Sequence, residues 1–488
     1  MKLSLITMQG VYNYGSALQT YASQKILTDL GCEVEIIDYY PNRMRNYGSL
    51  KQLYTDAKPF HKNRWKCMAI AICKYPSMIK LKKVFEPFAE KYFNKTRVYN
   101  SNIELCNNPP VADVYCTGSD QVWNDYLEGT FDKSYFLNFV PSQTPKIAFS
   151  ASFGRDDIQH EELASVRDLL EQYNAISVRE ESGLKILSEI DVENKTCVLD
   201  PTFLLSKEDW MSLSIPVEEK NYILVYKLHE DSLTSEIALE IAKRTGKKII
   251  RISSDYLKRI KRGKTIVAPR VEEFISYIAN ASLVVTDSFH ATAFSLNLNV
   301  PFVSVKWKMF NDRIETILHK VGLENRSVTT SQEALKIYDK EINFQITNQY
   351  LKKESVFTMA DVVIVLSEEW AKFFGDNICD SNKIVILYNG VIIPEYVKED
   401  YADRKVLFLG RLGERKGSYD LLKAIPAVLQ KVPDAHFYLG GDGDIAQSKK
   451  IIDENGLSDY VELLGWIRDA EKEAYLKKCS TFILPSYH

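Results

Sequence analysis

Short apolar runs that end in clusters of small or polar residues recur through most of the chain, and this pattern constrains the fold more than any other feature. Leu3 to Met8, Val34 to Tyr39, Val111 to Thr117, Lys146 to Ser150, Ala175 to Val178 and Cys197 to Leu199 are each strand-sized. Tyr222 to Tyr226, Lys248 to Ile252, Leu283 to Val285 and Phe302 to Val305 repeat the pattern. Runs this short and continuously apolar suit strands covered on both faces, as in parallel sheets. A helical pattern from Ser16 to Leu30, with Gly31 placed as a C-terminal cap, separates the first two strands. The chain therefore opens as a βαβ unit and predicts an α/β fold.

Length and patterning divide the 488 residues into three expected domains. The first spans 1–215 and carries a stretch rich in Lys, Arg and aromatics at 41–110, expected to be a helical insertion. The second spans 216–350. Composition changes around 340–360, and a third domain is expected at 355–488. A net charge of −3 gives no basic field for nucleic acid. No apolar run is long enough to span a membrane, and Met1–Thr7 reads as a strand rather than a signal peptide. The eight cysteines are dispersed with no Cys-x-x-Cys pair, which indicates neither zinc nor a disulfide framework. The expected compartment is the cytoplasm, with the inner membrane face as the place of any peripheral contact. No metal and no cofactor are expected.

Candidate site residues lie where strands end. Thr286-Asp287-Ser288-Phe289-His290 follows the run Ser282–Val285 and precedes a helix, Ala291 onward. This puts His290 at a strand's carboxyl end and a helix N-terminus, where open α/β sheets bind ligands and anions are favoured. A histidine there can act as an acid or base near neutral pH; the alternative is a core histidine bonded to backbone. Asn13-Tyr14-Gly15-Ser16 lies between the first strand and helix, with Gly15 permitting close backbone approach and Ser16 a candidate cap. Arg179 directly follows a strand and could fork onto a carboxylate or phosphate, although local sequence favours a salt bridge to Glu180 or Glu181. Arg313 shares that ambiguity.

Taken together, Gln9-Gly10 with Asn13–Ser16, Gly118-Ser119-Asp120-Gln121-Val122-Trp123, Ala151–Gly154, Ser177–Glu180, Asp200-Pro201-Thr202 and Thr286–His290 resemble the polysaccharide pyruvyl transferase family over residues 1–350. The resemblance implies a GT-B-like pair of Rossmann-like parallel-sheet domains. It also implies use of phosphoenolpyruvate to place a pyruvyl ketal on a sugar of a surface or capsular polysaccharide precursor. The acceptor would be a sugar or a lipid-linked oligosaccharide. By resemblance His290 is the acid/base or phosphate contact, Arg179 a donor anion contact and Arg313 a lesser one. Asp287, Ser288, Ser119 and Asp120 would shape the pocket or bind sugar hydroxyls, beside Asn13, Gly15 and Ser16.

The remaining residues resemble a different family. Ala360–Ser367, Asn389-Gly390-Val391, Val406–Arg411, Lys416-Gly417, Leu439-Gly440-Gly441-Asp442-Gly443 and Leu464-Gly465-Trp466 are similar to the nucleotide-sugar domain of retaining GT-B glycosyltransferases. This implies a partial third Rossmann-like domain. Arg411 and Lys416 on a Gly-flanked loop suit a diphosphate, with Gly441, Asp442 and Gly443 near the nucleotide. The alternatives are a solvated charged loop and an ordinary turn. The sequence ends at Leu484-Pro485-Ser486-Tyr487-His488, before the Glu-Gly segment such domains carry. A truncated, marginally stable and weak or inactive transferase is therefore expected, with an exposed edge strand. Rival readings are a bifunctional or nucleotide-sugar-dependent glycosyltransferase, and a non-catalytic nucleotide or glycan-binding protein.

Overall fold

The computed structural model describes residues 1–41, 49–58, 63–124, 131–155, 157–192, 195–229, 232–257, 263–307, 312–359, 363–365, 384–386, 404–467 and 469–485. The chain forms two compact units, Met1–Tyr388 and Asn389–His488.

The first unit contains two large parallel sheets. Strands β1 (Lys2–Ile6), β2 (Glu33–Tyr39), β3 (Lys95–Tyr99), β4 (Val114–Thr117), β5 (Lys146–Ala151), β6 (Ala175–Val178) and β7 (Lys195–Cys197) lie in the order β3-β2-β1-β4-β5-β6-β7. Strands β8 (Tyr222–Tyr226), β9 (Ile249–Ser253), β10 (Lys264–Val267), β11 (Ala281–Thr286), β12 (Phe302–Val305) and β13 (Ser327–Val328) lie in the order β10-β9-β8-β11-β12-β13. Both are doubly wound, and both reverse direction beside their first strand. Such a reversal opens a crevice at the strands' carboxyl ends. The crevices lie after β1 and β4 in one sheet, and after β8 and β11 in the other.

One continuous apolar core joins the two sheets, including Tyr14 and Leu18 from the first and Trp210, Phe274 and Phe294 from the second. Tyr14 stacks on Phe274 with ring centroids 4.3 Å apart, and its hydroxyl donates to the Pro269 carbonyl at 2.7 Å. The start of the Tyr14–Asp29 helix is thereby fixed against the second sheet.

The 41–110 stretch is not purely helical. It holds helices Leu50–Ala57, Arg64–Tyr92 and Asn102–Asn107, but also β3, which pairs with β2 as the sheet's edge. Lys95, Thr96 and Arg97 disguised it, since edge strands tolerate and favour such polar residues. The short strands β10 and β13 likewise lie outside the expected apolar runs.

In the segment 355–395, β14 (Val363–Val365) and β15 (Ile384–Ile386) form a parallel pair. Asn389-Gly390-Val391 lies outside the described residues. The second unit carries a four-stranded parallel sheet, β18-β17-β16-β19, from β16 (Lys405–Leu409), β17 (His436–Gly440), β18 (Val461–Gly465) and β19 (Thr481–Phe482). At its edge Phe482 and Leu484 are exposed. Among the described residues no helix is long and apolar enough to cross a membrane.

Candidate active site

The first crevice is built around a buried ion cluster. Arg179, immediately after β6, has no exposed side-chain surface. Its Nη1 donates to Asp200 Oδ2 at 2.7 Å, and its Nη2 donates to Asp120 Oδ1 at 3.2 Å. The expected bridge to Glu180 is a looser 3.7 Å contact at Nε. The guanidinium is thus spent on carboxylates contributed by loops far apart in sequence. Asp200 also accepts from Ser119 Oγ at 3.1 Å and from Thr202.

Asp120 takes the left-handed backbone conformation (φ 82°) that the turn after β4 requires, and Asp tolerates it better than most residues. Its Oδ2 accepts from Ser16 Oγ at 2.6 Å. Ser16 is therefore not the helix cap; Asn13 is, through its side chain to Gly15 N at 2.8 Å. Burial works against the Asp120 charge. Arg179, His290, the Ser16 hydroxyl and Arg313 outweigh it and hold the carboxyl down at about 2. Asp200 is lowered in the same way despite its burial, chiefly by Arg179. At Glu180 burial prevails instead: it raises the carboxyl despite the opposing pull of Arg179, Arg313 and the Ser152 hydroxyl.

His290 stands in the first turn of the Phe289–Leu298 helix, which Ser288 caps by accepting from Ala291 N at 3.4 Å. The expected placement at a strand end and helix N-terminus is observed. The imidazole packs so closely on the Tyr14–Asp29 helix that a Cβ at Gly15 would overlap the ring. Its Nε2 is buried, has no hydrogen-bond partner among the described residues, and lies 3.9 Å from Asp200 Oδ2. Burial pushes the imidazole down to about 4, against the pull of Asp200 and Asp120. The ring is neutral near pH 7.

Arg313, on the Asp312–Lys320 helix, and Arg179 both lie over the Phe289 ring, 5.6 and 5.3 Å from its centroid. Arg313 has no carboxylate within ion-pair distance among the described residues. Burial and then Arg179 push its guanidinium down to about 10.

Asp287 serves the adjoining loop. It accepts from Leu228 N at 2.7 Å and His229 N at 2.9 Å, and lies 3.1 Å from His229 Nδ1. His229 in turn stacks on Trp307. A cavity of about 90 Å³ opens there between Asn13–Tyr14, Lys227–His229 and Arg251–Ser254. Asp200, Glu180, His229 and Arg251 were not singled out as site residues. The first two stood inside quoted motifs, but nothing local marked them as partners of Arg179.

In the second unit the site is made of main chain. Leu412 N donates to Asp442 O at 2.6 Å, and Gly410 N donates to Gly440 O at 2.9 Å. Gly441 (φ 151°) and Gly443 (φ 106°) bring their backbone against Gly410 and Leu412 too closely for any Cβ. Asp442 and Arg411 are exposed, and Lys416 is half-buried at the end of the Glu414–Lys416 turn. A cavity of about 310 Å³ at the carboxyl ends of β16 and β17 is lined by Gly410, Gly441, Trp466 and Lys472, among others. Arg411 and Lys416 do not line it. Tyr487 and His488 lie outside the described residues.

Two Rossmann-like sheets with an ion cluster and a neutral histidine between their carboxyl ends form a GT-B-like pair. Residues 13–309, more than half of the chain, match the family described as polysaccharide pyruvyl transferase, and the chain belongs to that family. Residues 403–488 match the family described as glycosyl transferases group 1. An Escherichia coli K12 protein described as a glycosyltransferase of colanic acid biosynthesis is 24% identical over 174 residues, 35% of this chain and 42% of that protein. A phosphatidyl-myo-inositol mannosyltransferase of Mycobacterium tuberculosis is 31% identical over 105 residues, 20% of this chain and 27% of its own length. The chain thus spans less than half the length of these curated relatives. A solved structure of the Methanocaldococcus jannaschii UDP-GlcNAc 2-epimerase aligns with a TM-score of 0.43 at 16% identity, over 72% of this chain and 99% of that one. That likeness is too slight to add to what the sheets themselves show.

Proposed function

We propose that the first unit transfers the pyruvyl group of phosphoenolpyruvate to two hydroxyls of a sugar in a polysaccharide precursor. The observation that carries this reading is His290: a neutral imidazole with an unoccupied Nε2, set between the two sheets. In the reaction the donor's methylene carbon gains a proton and the adjacent carbon becomes cation-like. Two sugar hydroxyls add to that carbon as the C–O bond to phosphate breaks. Of the two hydroxyl protons, one ends on the new methyl group and the other leaves with phosphate. His290 Nε2 is suited to take a hydroxyl proton, and the donor's negative charges would raise its basicity on binding. Arg313 offers the donor an anion contact. Arg179 acts as a positioning residue that fixes Asp120 and Asp200. The test supplies carbon-labelled phosphoenolpyruvate with glycan precursors and looks for a ketal methyl signal by NMR. Wild type yields it and His290→Gln does not; equal signals from both would remove His290 from the reaction.

A nucleotide-sugar is the reading for the second unit, supported by the family match and the cavity beside Gly441. Binding of a uridine diphosphate sugar by calorimetry, lost on occluding that cavity, tests it.

Peripheral contact with an anionic membrane belongs to the same picture. The Arg64–Tyr92 helix buries Cys67, Leu81, Val84, Phe85 and Phe88, yet its other face exposes Trp65, Met68, Ile72, Tyr75 and Ile79. Six cations and no carboxylate lie between Arg64 and Phe85. An apolar stripe flanked by Lys and Arg suits the interface of an anionic bilayer.

A further inference from the structure

Arg251 is a buried cation without a counter-charge among the described residues. It lies in β9, is 9% exposed, its Nε is buried with no hydrogen-bond partner, and no carboxylate among the described residues lies within ion-pair distance of it. A buried charge left unpaired is costly, so folds retain one where a ligand completes it. The side chain lines the cavity of about 90 Å³ at the carboxyl ends of β8 and β9. That space holds a few water-sized groups, which suits an anionic head and not a sugar ring. The carboxylates of the adjoining loops are already engaged: Asp287 with Leu228 and His229, and Asp255 with Ser77 and Leu257.

The cavity belongs to the reaction cleft. Asn13 and Tyr14 form one wall, and the next residue, Gly15, touches His290. His229, held by Asp287 and stacked on Trp307, forms another. We propose that Arg251 is the cationic centre of a phosphate-binding subsite that holds a phosphoryl group of a substrate presented to His290. The subsite rests on the pyruvyl-transfer reading for its two possible sources: the phosphate of phosphoenolpyruvate, or the diphosphate that carries the acceptor glycan.

The test compares the full chain with Arg251→Met, using calorimetry with phosphoenolpyruvate and, separately, inorganic pyrophosphate, beside the ligand-free melting temperature. Met keeps the length of the side chain without its charge. The variant is expected to bind one probe at least about tenfold more weakly and to melt higher than wild type when no ligand is present. Weakening confined to phosphoenolpyruvate assigns the subsite to the donor; weakening confined to pyrophosphate assigns it to the acceptor carrier. Three results overturn the proposal: wild type that binds neither probe, a variant that binds both as wild type does, or a variant that melts lower. The underlying reading fails separately. Arg251-dependent pyrophosphate binding without phosphoenolpyruvate consumption keeps the subsite and removes pyruvyl transfer. Consumption indifferent to Arg251 does the reverse.

Discussion

The cleft of the first unit and the loop site of the second are assembled by opposite means. In the first, side chains from three loops converge: Arg179, Asp120, Asp200 and Ser119 form one buried network. In the second, the Gly410–Leu412 and Gly441–Gly443 segments meet main chain to main chain, with Arg411 left exposed. A side-chain cluster holds charges in a fixed place but fails when a member is removed. A backbone cradle tolerates the loss of nearby side chains but fails when a Cβ is added.

Removing a carboxylate tests the first half of that contrast and should give the largest effect. Asp200→Ala leaves Arg179 buried without its shortest partner, and breaking such a pair costs about 3–5 kcal/mol. Arg411→Ala, on an exposed loop, should stay within about 0.5 kcal/mol of wild type. Urea unfolding of both variants checks this. An Asp200→Ala chain as stable as Arg411→Ala would mean that the cluster does not hold the first unit together.

Adding a methyl group tests the second half. Gly441→Ala places a Cβ against the Gly410 carbonyl at a φ of 151°, and strain of about 1–3 kcal/mol follows. Hydrogen exchange should show the loss in β16–β18 while β1 and β4 keep their protection. Gly15→Ala is the counterpart in the first unit. There the Cβ meets the His290 ring, so catalysis should fall further than stability. Loss of protection throughout β1–β7 in Gly15→Ala, with catalysis intact, would reverse that assignment.

The same contrast explains what could be read in the sequence. The parallel strands were legible because they are continuously apolar, and His290 because it follows such a run. β3 was not, since an edge strand needs no apolar continuity. The Arg179 network was half legible: its arginine and Asp120 stood out, but the choice of Asp200 over Glu180 depends on how β6, β4 and the loop after β7 meet in space. Ser16 is not the cap its position suggests, because Asn13, three residues earlier, satisfies the helix and frees the serine hydroxyl for Asp120. Arg251 gave no local signal, because one arginine within an apolar strand is indistinguishable from a paired one until its surroundings are known.

A pH series refines the picture of the first cleft. His290 titrates near 6.5 when unfolded and about 4 when folded. Between those values the unfolded chain binds a proton that the folded chain refuses, so stability falls as pH drops from 6.5 toward 4. Asp120, held at about 2 against an ordinary 3.8, adds its own loss only at lower pH. His290→Gln should therefore flatten the stability profile between pH 6.5 and 4 and leave the steeper acid limb. An unchanged slope in that window would mean that His290 gains its proton in the folded cleft, paired with Asp200.

The smallest effect on stability is expected where the first unit presents an exposed apolar surface. The Arg64–Tyr92 helix is apolar on two faces, and only one is used by the core. Trp65 is 84% exposed and Ile72 55% exposed, so changing them removes little buried area. Trp65→Glu with Ile72→Glu should leave unfolding within about 0.5 kcal/mol of wild type. Sedimentation with phosphatidylglycerol-containing vesicles should nonetheless fall sharply, because the substitution removes apolar insertion and adds charge repelled by the lipid. Wild-type binding should weaken as salt screens the flanking lysines. Salt-independent binding, or a wild-type dimer that the double substitution converts to monomer without altering sedimentation, would assign the stripe to a second copy of the chain instead.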